Sequence, residues 1–507
     1  MKKFSILLLA LLLSVLPLLA ACGEDDPADS SSSDAGTPPS DAGTDVSEAP
    51  KSFPLEEKRF DDSTVTILTR KGRYSQQFVP NEEFEGSVIN VAVDSRNAYI
   101  EEVYGIKLEV METARPAADI VTYITADTDD FDLVCDAVYS MVPQVVSNYF
   151  YSLNDLLELD RPWWDQNANT YLTLSDKIFF VAGDALFTDD MHTAGVIFNK
   201  EIYATQFEPQ YGCTLYDMVD QGKWTYDVMH EMAKAFARPN ADGVWGDIDA
   251  YYGIVTDGYT GATMMTNGSG TVTASKDENG NISLNVVSQR SVDAFSIVYD
   301  MLSNQNVSTY AERLKGSYPD SYFGEITNMF LNGHALFQVG YLSTLVDMKN
   351  NALADQTDPG VLPIPKFNEE QADYFCGVNA YQSDVLGIPI NVSDNLEATC
   401  YLLELLGYYS GTDSRFGSNS VSSAFYETTL KLQSVTQDDD SRMIDLITGS
   451  RIYDLGGIFN WGGRLIGIYS SCLYNNQNQL VSNWDAIQSS VEAAMEETIQ
   501  AYRDSIA

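Results

Sequence analysis

Aromatic residues in predicted loops are the residues of this sequence best suited to binding a ligand. The chain carries 30 tyrosines, 22 phenylalanines and 6 tryptophans, and many of them stand beside glycine or asparagine. Flat rings next to amide and carboxylate acceptors form sites for neutral sugars, because sugar rings present apolar C–H faces. Trp163-Trp164 and the glycine-flanked Trp461 have this setting and are predicted ligand residues. The alternative is that these rings seal a protein core.

Catalytic patterns are absent from the sequence. The three histidines, at 192, 230 and 334, are far apart, and no HExxH, GxSxG or P-loop pattern occurs. Asp189-Asp190 is a carboxylate pair, and Asp189 is a predicted ligand residue; the alternative is a pair of solvated loop acids, since chance pairs are expected among 73 acidic residues. A glycosidase needs two carboxylates at a fixed separation across a cleft, which a sequence does not reveal. We therefore expect a binding protein, with a surface carbohydrate-active enzyme as the alternative.

One loop has the spacing of a calcium site. Oxygen-bearing side chains alternate around Gly243 and Gly246, which is how calcium loops turn carboxylates inward. However, Trp245 stands where a ligand is expected, and no terminal glutamate follows. The loop is either a calcium site or a turn capped by Asn and Asp side chains. The candidate ligands are Asn240, Asp242, Asp247 and Asp249. No other cofactor is expected.

The charge balance limits the partners. The formal net charge is −44, with 29 basic residues against 73 acidic ones. Nucleic acids and anionic lipid headgroups require basic patches, so neither is an expected partner. Beyond Cys22 there are five cysteines without CxxC spacing, and these predict buried small residues more than a disulfide scaffold or zinc site.

The first 51 residues predict export. Lys2 and Lys3 precede the apolar run 6–19, which is too short for a stable membrane span. Leu19-Ala20-Ala21-Cys22 resembles a bacterial lipobox, so residues 1–21 are a predicted signal peptide and Cys22 the lipidated mature N-terminus. The alternative is a plain signal peptide with an incidental cysteine. Residues 22–51 are acidic and rich in Ser, Ala and Gly, which predicts a disordered tether.

The first folded segment predicts an open α/β sheet. Strand and helix patterns alternate as β-α-β-α-β over 65–68, 87–104, 106–111, 116–125 and 131–135. This order is typical of a parallel, doubly wound sheet, in which ligands sit beyond the carboxyl ends of the strands. That rule places Arg70, Tyr74, Asp136 and Tyr139 on the rim of a cleft, and basic residues at 70–73 would suit an acidic sugar.

The stretch from Phe179 to Tyr203 predicts a crossover between two sheets. A β run over 178–181 and a polar loop precede a second β run over 194–198, and Asn199-Lys200 opens a helix. Later strand and helix patterns return to each sheet. The predicted division is a first lobe of 52–185 with about 384–425, and a second lobe of 194–375 with about 430–507.

Four segments together resemble the extracellular solute-binding proteins of ABC importers, the carbohydrate-type family that includes maltodextrin-binding proteins. They are VIFNKEIY at 196–203, WTYD at 224–227, FLNGHALF at 330–337 and GVLPIPK at 360–366. The resemblance implies an α/β, two-lobed periplasmic-binding-protein-like fold of type II with hinge crossovers. It also implies cleft aromatics at Tyr341 and late in the chain, at Trp461.

The implied function is capture of a small solute, most often a sugar or oligosaccharide, for delivery to an ABC permease. We expect a monomer anchored by lipid to the outer face of the cytoplasmic membrane. A sensory or adhesive lipoprotein with the same fold is a further alternative, and a peptide or other metabolite remains open as the ligand.

Overall fold

A computed structural model describes residues 52–126 and 128–505. The predicted signal peptide, Cys22 and the predicted tether lie outside these residues. Within them the strands are β1 Ser63–Arg70, β2 Ile106–Thr113, β3 Leu133–Ala137, β4 Ala194–Asn199, β5 Tyr252–Thr256, β6 Ala274–Lys276, β7 Ile282–Leu284, β8 Ser308–Tyr310, β9 Ala335–Tyr341, β10 Pro359–Leu362, β11 Cys376–Gly377, β12 Asp384–Gly387 and β13 Arg451–Ile452.

Helices surround these strands. The α-helices of seven or more residues are Val88–Tyr104, Pro116–Ala126, Gln166–Leu172, Lys200–Gln206, Tyr226–Phe236, Gln289–Ser303, Tyr322–Leu331, Leu342–Lys349, Leu396–Ser410, Asp438–Gly449, Ile468–Tyr474 and Leu480–Asp504. Shorter ones are Val138–Met141, Thr188–Met191, Glu208–Tyr211, Leu215–Asp220, Met265–Asn267, Ala311–Leu314, Val421–Ser423 and Leu455–Phe459. The 3-10 turns include Gly72–Gln77, Val142–Ser147 and Trp461–Gly463, and the π-helices are Thr260–Met264 and Ala424–Gln433.

The first lobe is built on a sheet of order β12-β3-β1-β2. β1 pairs in parallel with both β2 and β3, as the alternating pattern predicts, and β12 returns antiparallel to β3. The helix Val88–Tyr104 begins at its Ser87 cap and ends at Gly105, whose φ is +68°. A Cβ atom at Gly105 would lie 1.9 Å from the Phe60 carbonyl oxygen, so glycine is required there.

The second lobe is built on a sheet of order β10-β4-β9-β5-β8. β5 runs parallel to β8 and β9, whereas β4 runs antiparallel to β9 and β10. Every residue of β4 and β9 is buried, because helices cover both faces of this sheet. The chain thus contains two separate mixed sheets, which confirms the predicted two-lobed α/β fold.

Three chain passages cross between the lobes side by side. Thr193 pairs with Val378, and β11 pairs in parallel with β13. The strand predicted at 178–181 is wrong: only Val181 pairs, with Leu386. The backbone hydrogen bonds of this buried run are made with loop segments instead; for example, the Leu153 N–H donates to the Ile178 carbonyl. We call residues 192–193, 376–381 and 451–453 the hinge.

The last helix, Leu480–Asp504, packs on parts of both lobes. Its first half contacts the helix Ile468–Tyr474, which packs on Gln289–Ser303 of the second lobe. It also packs on the turn Val142–Ser147 of the first lobe, and Tyr502 meets Phe179 edge to face at 5.0 Å. The lobe boundaries stay a prediction. Among the described residues, no helix combines the length and apolar character needed to span a membrane.

Candidate functional site

The carboxyl ends of four strands face the hinge. β1 ends at Arg70 and β3 at Ala137 in the first lobe, while β5 ends at Thr256 and β9 at Tyr341 in the second. Backbone hydrogen bonds fix the hinge against both edges: Tyr139 N–H donates to the Ala380 carbonyl, and Leu342 N–H to the Thr193 carbonyl. This is the interlobe cleft, and it brings together five of the predicted ligand residues: Arg70, Tyr74, Asp136, Tyr139 and Tyr341.

Arg70 is held by two carboxylates. Its Nε lies 3.1 Å from Asp136 Oδ1, and its Nη2 donates to Asp384 Oδ1 on β12. Burial raises the pKa of Asp384 to about 6, and the guanidinium opposes this rise, so the carboxylate is ionised at neutral pH. Arg70 also lies 3.6 Å from the centre of the Tyr74 ring. The charge of Arg70 is therefore used inside the protein and is not offered to a ligand.

Three tyrosines meet on the hinge. Tyr381 lies in the loop between β11 and β12, and its ring centre is 4.5 Å from that of Tyr139 in the first lobe. On its other side, the ring centre of Tyr259 in the second lobe is 4.9 Å away. All three rings are half-buried. Tyr381 therefore links a tyrosine of the first lobe to a tyrosine of the second.

Tyr341 completes the second lobe's side of the cleft. It is the last residue of β9, and its hydroxyl accepts a hydrogen bond of 2.7 Å from Thr260 Oγ1. Burial raises the pKa of Tyr341 well above its ordinary value, so the hydroxyl keeps its proton. The hydrogen bond thereby fixes the orientation of this buried ring at the carboxyl end of β9.

Two contacts join the lobes at the rim. Arg73, after β1, lies 2.6 Å from Asp347 in the helix Leu342–Lys349 of the second lobe. Lys276, at the end of β6, donates to the carbonyls of Thr170 and Thr173 at the carboxyl end of a first-lobe helix. Arg73 and Lys276 are thus each paired with an acceptor on the opposite lobe. The position of Lys276 is also favourable because a cation is stabilised near the carboxyl terminus of a helix.

Solved structures with the same architecture are found by comparison. An ABC substrate-binding protein from Listeria monocytogenes, in complex with cycloalternan, matches with a TM-score of 0.54 and 13% identity, covering 86% of this chain and 99% of that one. A cyclo/maltodextrin-binding protein complexed with maltotetraose also gives 0.54 and 13%, covering 89% and 98%. UgpB from Mycobacterium tuberculosis, in complex with glycerophosphocholine, gives 0.55 and 12%, covering 86% and 99%.

The fold is that of the ABC solute-binding proteins. Neither family models nor curated protein sequences give a match to this chain. The structural likeness extends over nearly the whole length of each neighbour, so no lobe of the solute-binding fold is missing here.

Trp163, Trp164 and Asp189 lie apart from the tyrosines of the solute-binding fold's cleft. Together with Asp184 and Arg451 they line a cavity of about 560 Å³ that none of the other predicted ligand residues lines. Both tryptophans are buried in the first lobe, and Trp163 Nε1 donates to Glu404 Oε2 at 2.7 Å. Their placement favours a core role over stacking on a ligand.

Arg451 organises the acidic side of this cavity. Its Nη1 lies 2.9 Å from Asp189 Oδ2 and 2.9 Å from Asp190 Oδ1, so the hinge strand β13 is tied to the short helix before β4. Asp184 stands nearby, and burial, together with the charges of Asp190, Asp413 and Asp165, raises its pKa to about 7. Asp189 therefore binds the hinge strand through one carboxylate oxygen while it also lines this cavity.

Trp461 lies in the core instead of the cleft, which corrects the expectation that it stacks on a ligand. Only 2% of its surface is exposed. Its ring stacks on Phe459 at 5.0 Å, and its Nε1 donates to Thr498 Oγ1 of the last helix at 3.1 Å. The apolar ring and its polar N–H group therefore both have partners inside the protein.

The candidate calcium loop is closed by its own hydrogen bonds. Asn240 Oδ1 accepts from the N–H groups of Asp242 and Val244, and Asp247 Oδ1 accepts from that of Ile248. Among the described residues, no group of three or more His, Cys, Asp or Glu side chains could hold a metal ion. The arrangement of Asn240, Asp242, Asp247 and Asp249 is that of a capped turn.

Sequence reasoning missed Tyr259, Tyr381 and His192 in the cleft. Tyr259 follows β5 as Tyr139 follows β3, so the rule of the strand carboxyl ends would have found it if applied to the second lobe. Tyr381 and His192 are hinge residues, and their position depends on how three distant passages meet, which no local pattern records.

Proposed function

We propose that this protein is an extracellular solute-binding lipoprotein that captures a small neutral solute, a sugar or oligosaccharide, between its two lobes. The observation that carries the proposal is the meeting of Tyr139, Tyr381 and Tyr259 on the hinge, at the carboxyl ends of both sheets. Aromatic rings that converge from two hinged lobes provide apolar faces on both sides of a ligand. The solved neighbours that bind cycloalternan and maltotetraose support this reading.

Charge supports a neutral ligand over an acidic sugar. Arg70 is neutralised by Asp136 and Asp384, and Arg73 by Asp347. An anion entering the cleft would have to displace a carboxylate from one of these arginines, at the cost of leaving that carboxylate unpaired. A neutral polyhydroxylated solute requires no such exchange.

Capture would proceed by opening and closing about the hinge. Parting of the lobes separates Tyr139 from Tyr259 and breaks the Arg73–Asp347 contact, and closure around the solute remakes the rim contact. The closed lobes would then be presented to an ABC permease formed by other chains. Cys22 would hold the protein at the outer face of the cytoplasmic membrane.

A thermal-shift screen of glycans and polyols tests this function. A ligand at ~100 times its dissociation constant adds roughly 2.7 kcal/mol of stability, so a true ligand raises the melting temperature, and the rise grows with the logarithm of the ligand concentration. The screen includes maltotetraose, D-mannitol and D-tagatose, followed by calorimetry on each hit. Stabilisation by anionic sugars alone would contradict the neutral-solute proposal, and conversion of an oligosaccharide to shorter products would indicate an enzyme instead.

The anchor has its own test. Cys22→Ser removes the thiol that would carry the lipid, so the variant is expected in the medium or periplasm while the unaltered protein sediments with membranes. Retention of Cys22→Ser in the membrane fraction after a high-salt wash would show that the anchor is not at this residue.

A further inference from the structure

His192 lies where both lobes meet the hinge. It directly precedes Thr193, the hinge residue that pairs with Val378, and only 2% of its surface is exposed. Its ring is parallel to that of Tyr74 from the first lobe at 6.3 Å, and meets the edge of Tyr341 from the second lobe at 6.2 Å. The imidazole is therefore held between two cleft residues, one on each side.

One hydrogen bond fixes the tautomer of this imidazole. His192 Nδ1 lies 2.8 Å from the Thr188 carbonyl oxygen. A carbonyl oxygen can only accept, so Nδ1 carries the proton and Nε2 has a free lone pair. Among the described residues, Nε2 makes no hydrogen bond, and the ring's one bond is that of Nδ1. Burial, reinforced by the charges of Arg73 and Arg70, lowers the pKa of His192 to about 3, so the ring is neutral at physiological pH.

An acceptor held between the Tyr74 and Tyr341 rings, where the two lobes meet the hinge, selects for a donor. We propose that His192 is a specificity-determining residue whose Nε2 accepts a hydrogen bond from a hydroxyl group of the bound solute. The proposal rests on the proposed function, since it requires that a solute enter the cleft between Tyr74 and Tyr341. It names the class of ligand more narrowly, as a solute that presents a hydroxyl donor at the hinge.

The same geometry rejects acceptor-only groups at this point. An ionised carboxylate or phosphate oxygen carries no proton to donate and would meet the Nε2 lone pair with its own negative charge. Protonation of Nε2 would relieve this repulsion, but the burial of the ring and the two nearby arginines oppose it. A polyol or sugar satisfies Nε2 without any change of charge.

A matched pair of histidine variants tests the proposal. His192→Phe keeps an aromatic ring between Tyr74 and Tyr341 but removes the acceptor. His334→Phe is the control, because His334 Nδ1 also bonds a carbonyl, that of Ile248 at 2.9 Å, and its ring packs on Tyr251 at 4.8 Å, outside the cleft. The probes are maltotetraose, D-mannitol and D-tagatose, measured by calorimetry. We expect His192→Phe to weaken binding about tenfold, which corresponds to about 1.4 kcal/mol, and His334→Phe to leave it unchanged.

A second measurement needs no variant. The chain has only three histidines, so their ring nitrogens can be resolved by ¹⁵N NMR of the unaltered protein. We expect an unprotonated His192 Nε2 whose resonance moves when a bound probe is added, whereas those of His230 and His334 do not. This readout decides the question even if His192→Phe fails to fold.

The outcomes separate the two proposals. Binding of a probe with equal affinity to His192→Phe and to the unaltered protein, or a His192 Nε2 resonance that does not move, overturns the role of His192 and leaves solute binding intact. If the unaltered protein binds no glycan or polyol of the thermal-shift screen, these three probes included, both the sugar-binding function and the role of His192 are wrong as stated.

Discussion

Two regions of this chain present aromatic rings beside small residues, and the structure uses them in opposite ways. Around Tyr139 and Tyr381, rings from a lobe and from the hinge meet at the carboxyl ends of strands, half-exposed in the cleft. Around Trp461, rings between glycines are sealed under the last helix. The local composition of the two regions is similar, but their place in the topology is not.

The glycines near Trp461 serve the backbone. Gly462 and Gly463 have φ values of +68° and +71°, a conformation that other residues adopt at a cost. A Cβ atom at Gly456 would lie 2.0 Å from Thr273 Oγ1, so this glycine permits close packing of two segments. Glycines beside a ring therefore do not by themselves indicate free space for a ligand.

Arg70→Ala removes the cation that two buried carboxylates of the cleft share, and it should have the largest effect. Removing the guanidinium leaves Asp136 and Asp384 buried without their cation, which typically costs ~3–5 kcal/mol. It also removes the partner that orients Tyr74, so affinity for any cleft ligand should fall as well. Chemical denaturation and calorimetry on one preparation measure both losses. Normal stability would show that water or the lobes reorganise to solvate the two carboxylates.

Trp461→Ala removes a ring of the other region and should lower stability without changing the affinity for the ligand. Truncating a buried tryptophan costs ~3–5 kcal/mol of folding free energy. For a folded unit of this size that loss lowers the melting temperature by about 3–5 °C. Affinity in the folded protein should be unchanged, with the exposed Phe323→Ala as the control for both measurements. Loss of affinity at a normal melting temperature would show that Trp461 contacts the ligand in the cleft.

Tyr139→Ala should show the reverse pattern. The ring is half-buried, so its loss should cost little stability, but as an anchor in the cleft it should contribute ~2 kcal/mol to binding. We expect affinity for the ligand to fall by roughly 30-fold. Tyr139→Phe keeps the ring and is the matched control, with affinity close to that of the unaltered protein. Equal losses in both variants would assign the effect to the hydroxyl group.

Much of the fold could be predicted because its patterns are local. The helix at Val88–Tyr104 carries a serine cap and a terminal glycine, and the strand order follows from β-α-β alternation. Arg70 and Asp136 were placed in the cleft by the same rule, since the carboxyl ends of parallel strands share one edge.

The rest depends on long-range packing that one sequence does not record. Trp461 is buried by Thr498 of the last helix, and Tyr381 reaches the cleft only because β11 pairs with β13, more than 70 residues later. The run 178–181 was predicted as a strand since a short buried apolar segment has the same composition whether or not it finds a partner.

Asp184→Asn tests the cavity beside the hinge. This cavity is lined by carboxylates, whereas tyrosines meet in the cleft. The folded-state pKa of Asp184, about 7, lies above the ordinary value of 3.8, so the folded protein binds a proton between these values that the unfolded chain has lost. Ionisation of Asp184 therefore reduces stability as the pH rises through this window. The Asn variant should melt at a higher temperature than the unaltered protein at pH 8, by a margin that shrinks as the pH falls to 4.

The control for this experiment is Asp445→Asn, an acid that lines the same cavity but is bound to Lys431 at 2.6 Å. Removing it should give no gain at pH 8. A constant difference between Asp184→Asn and the unaltered protein from pH 4 to pH 8 would contradict the raised pKa.

Asn240→Ala should give the smallest effect and decides between a capped turn and a calcium loop. Asn240 Oδ1 accepts two backbone hydrogen bonds, from Asp242 and Val244, so its removal should cost about 1 kcal/mol of stability, as for the loss of a capping side chain. Because these bonds occupy the oxygen that a metal would need, added calcium should not raise the melting temperature of the unaltered protein, and a chelator should not lower it. The cost of Asn240→Ala should accordingly be the same with calcium and with chelator. A cost that appears only in calcium would mean that Asn240 is a metal ligand, and that the loop exchanges its backbone hydrogen bonds for the ion.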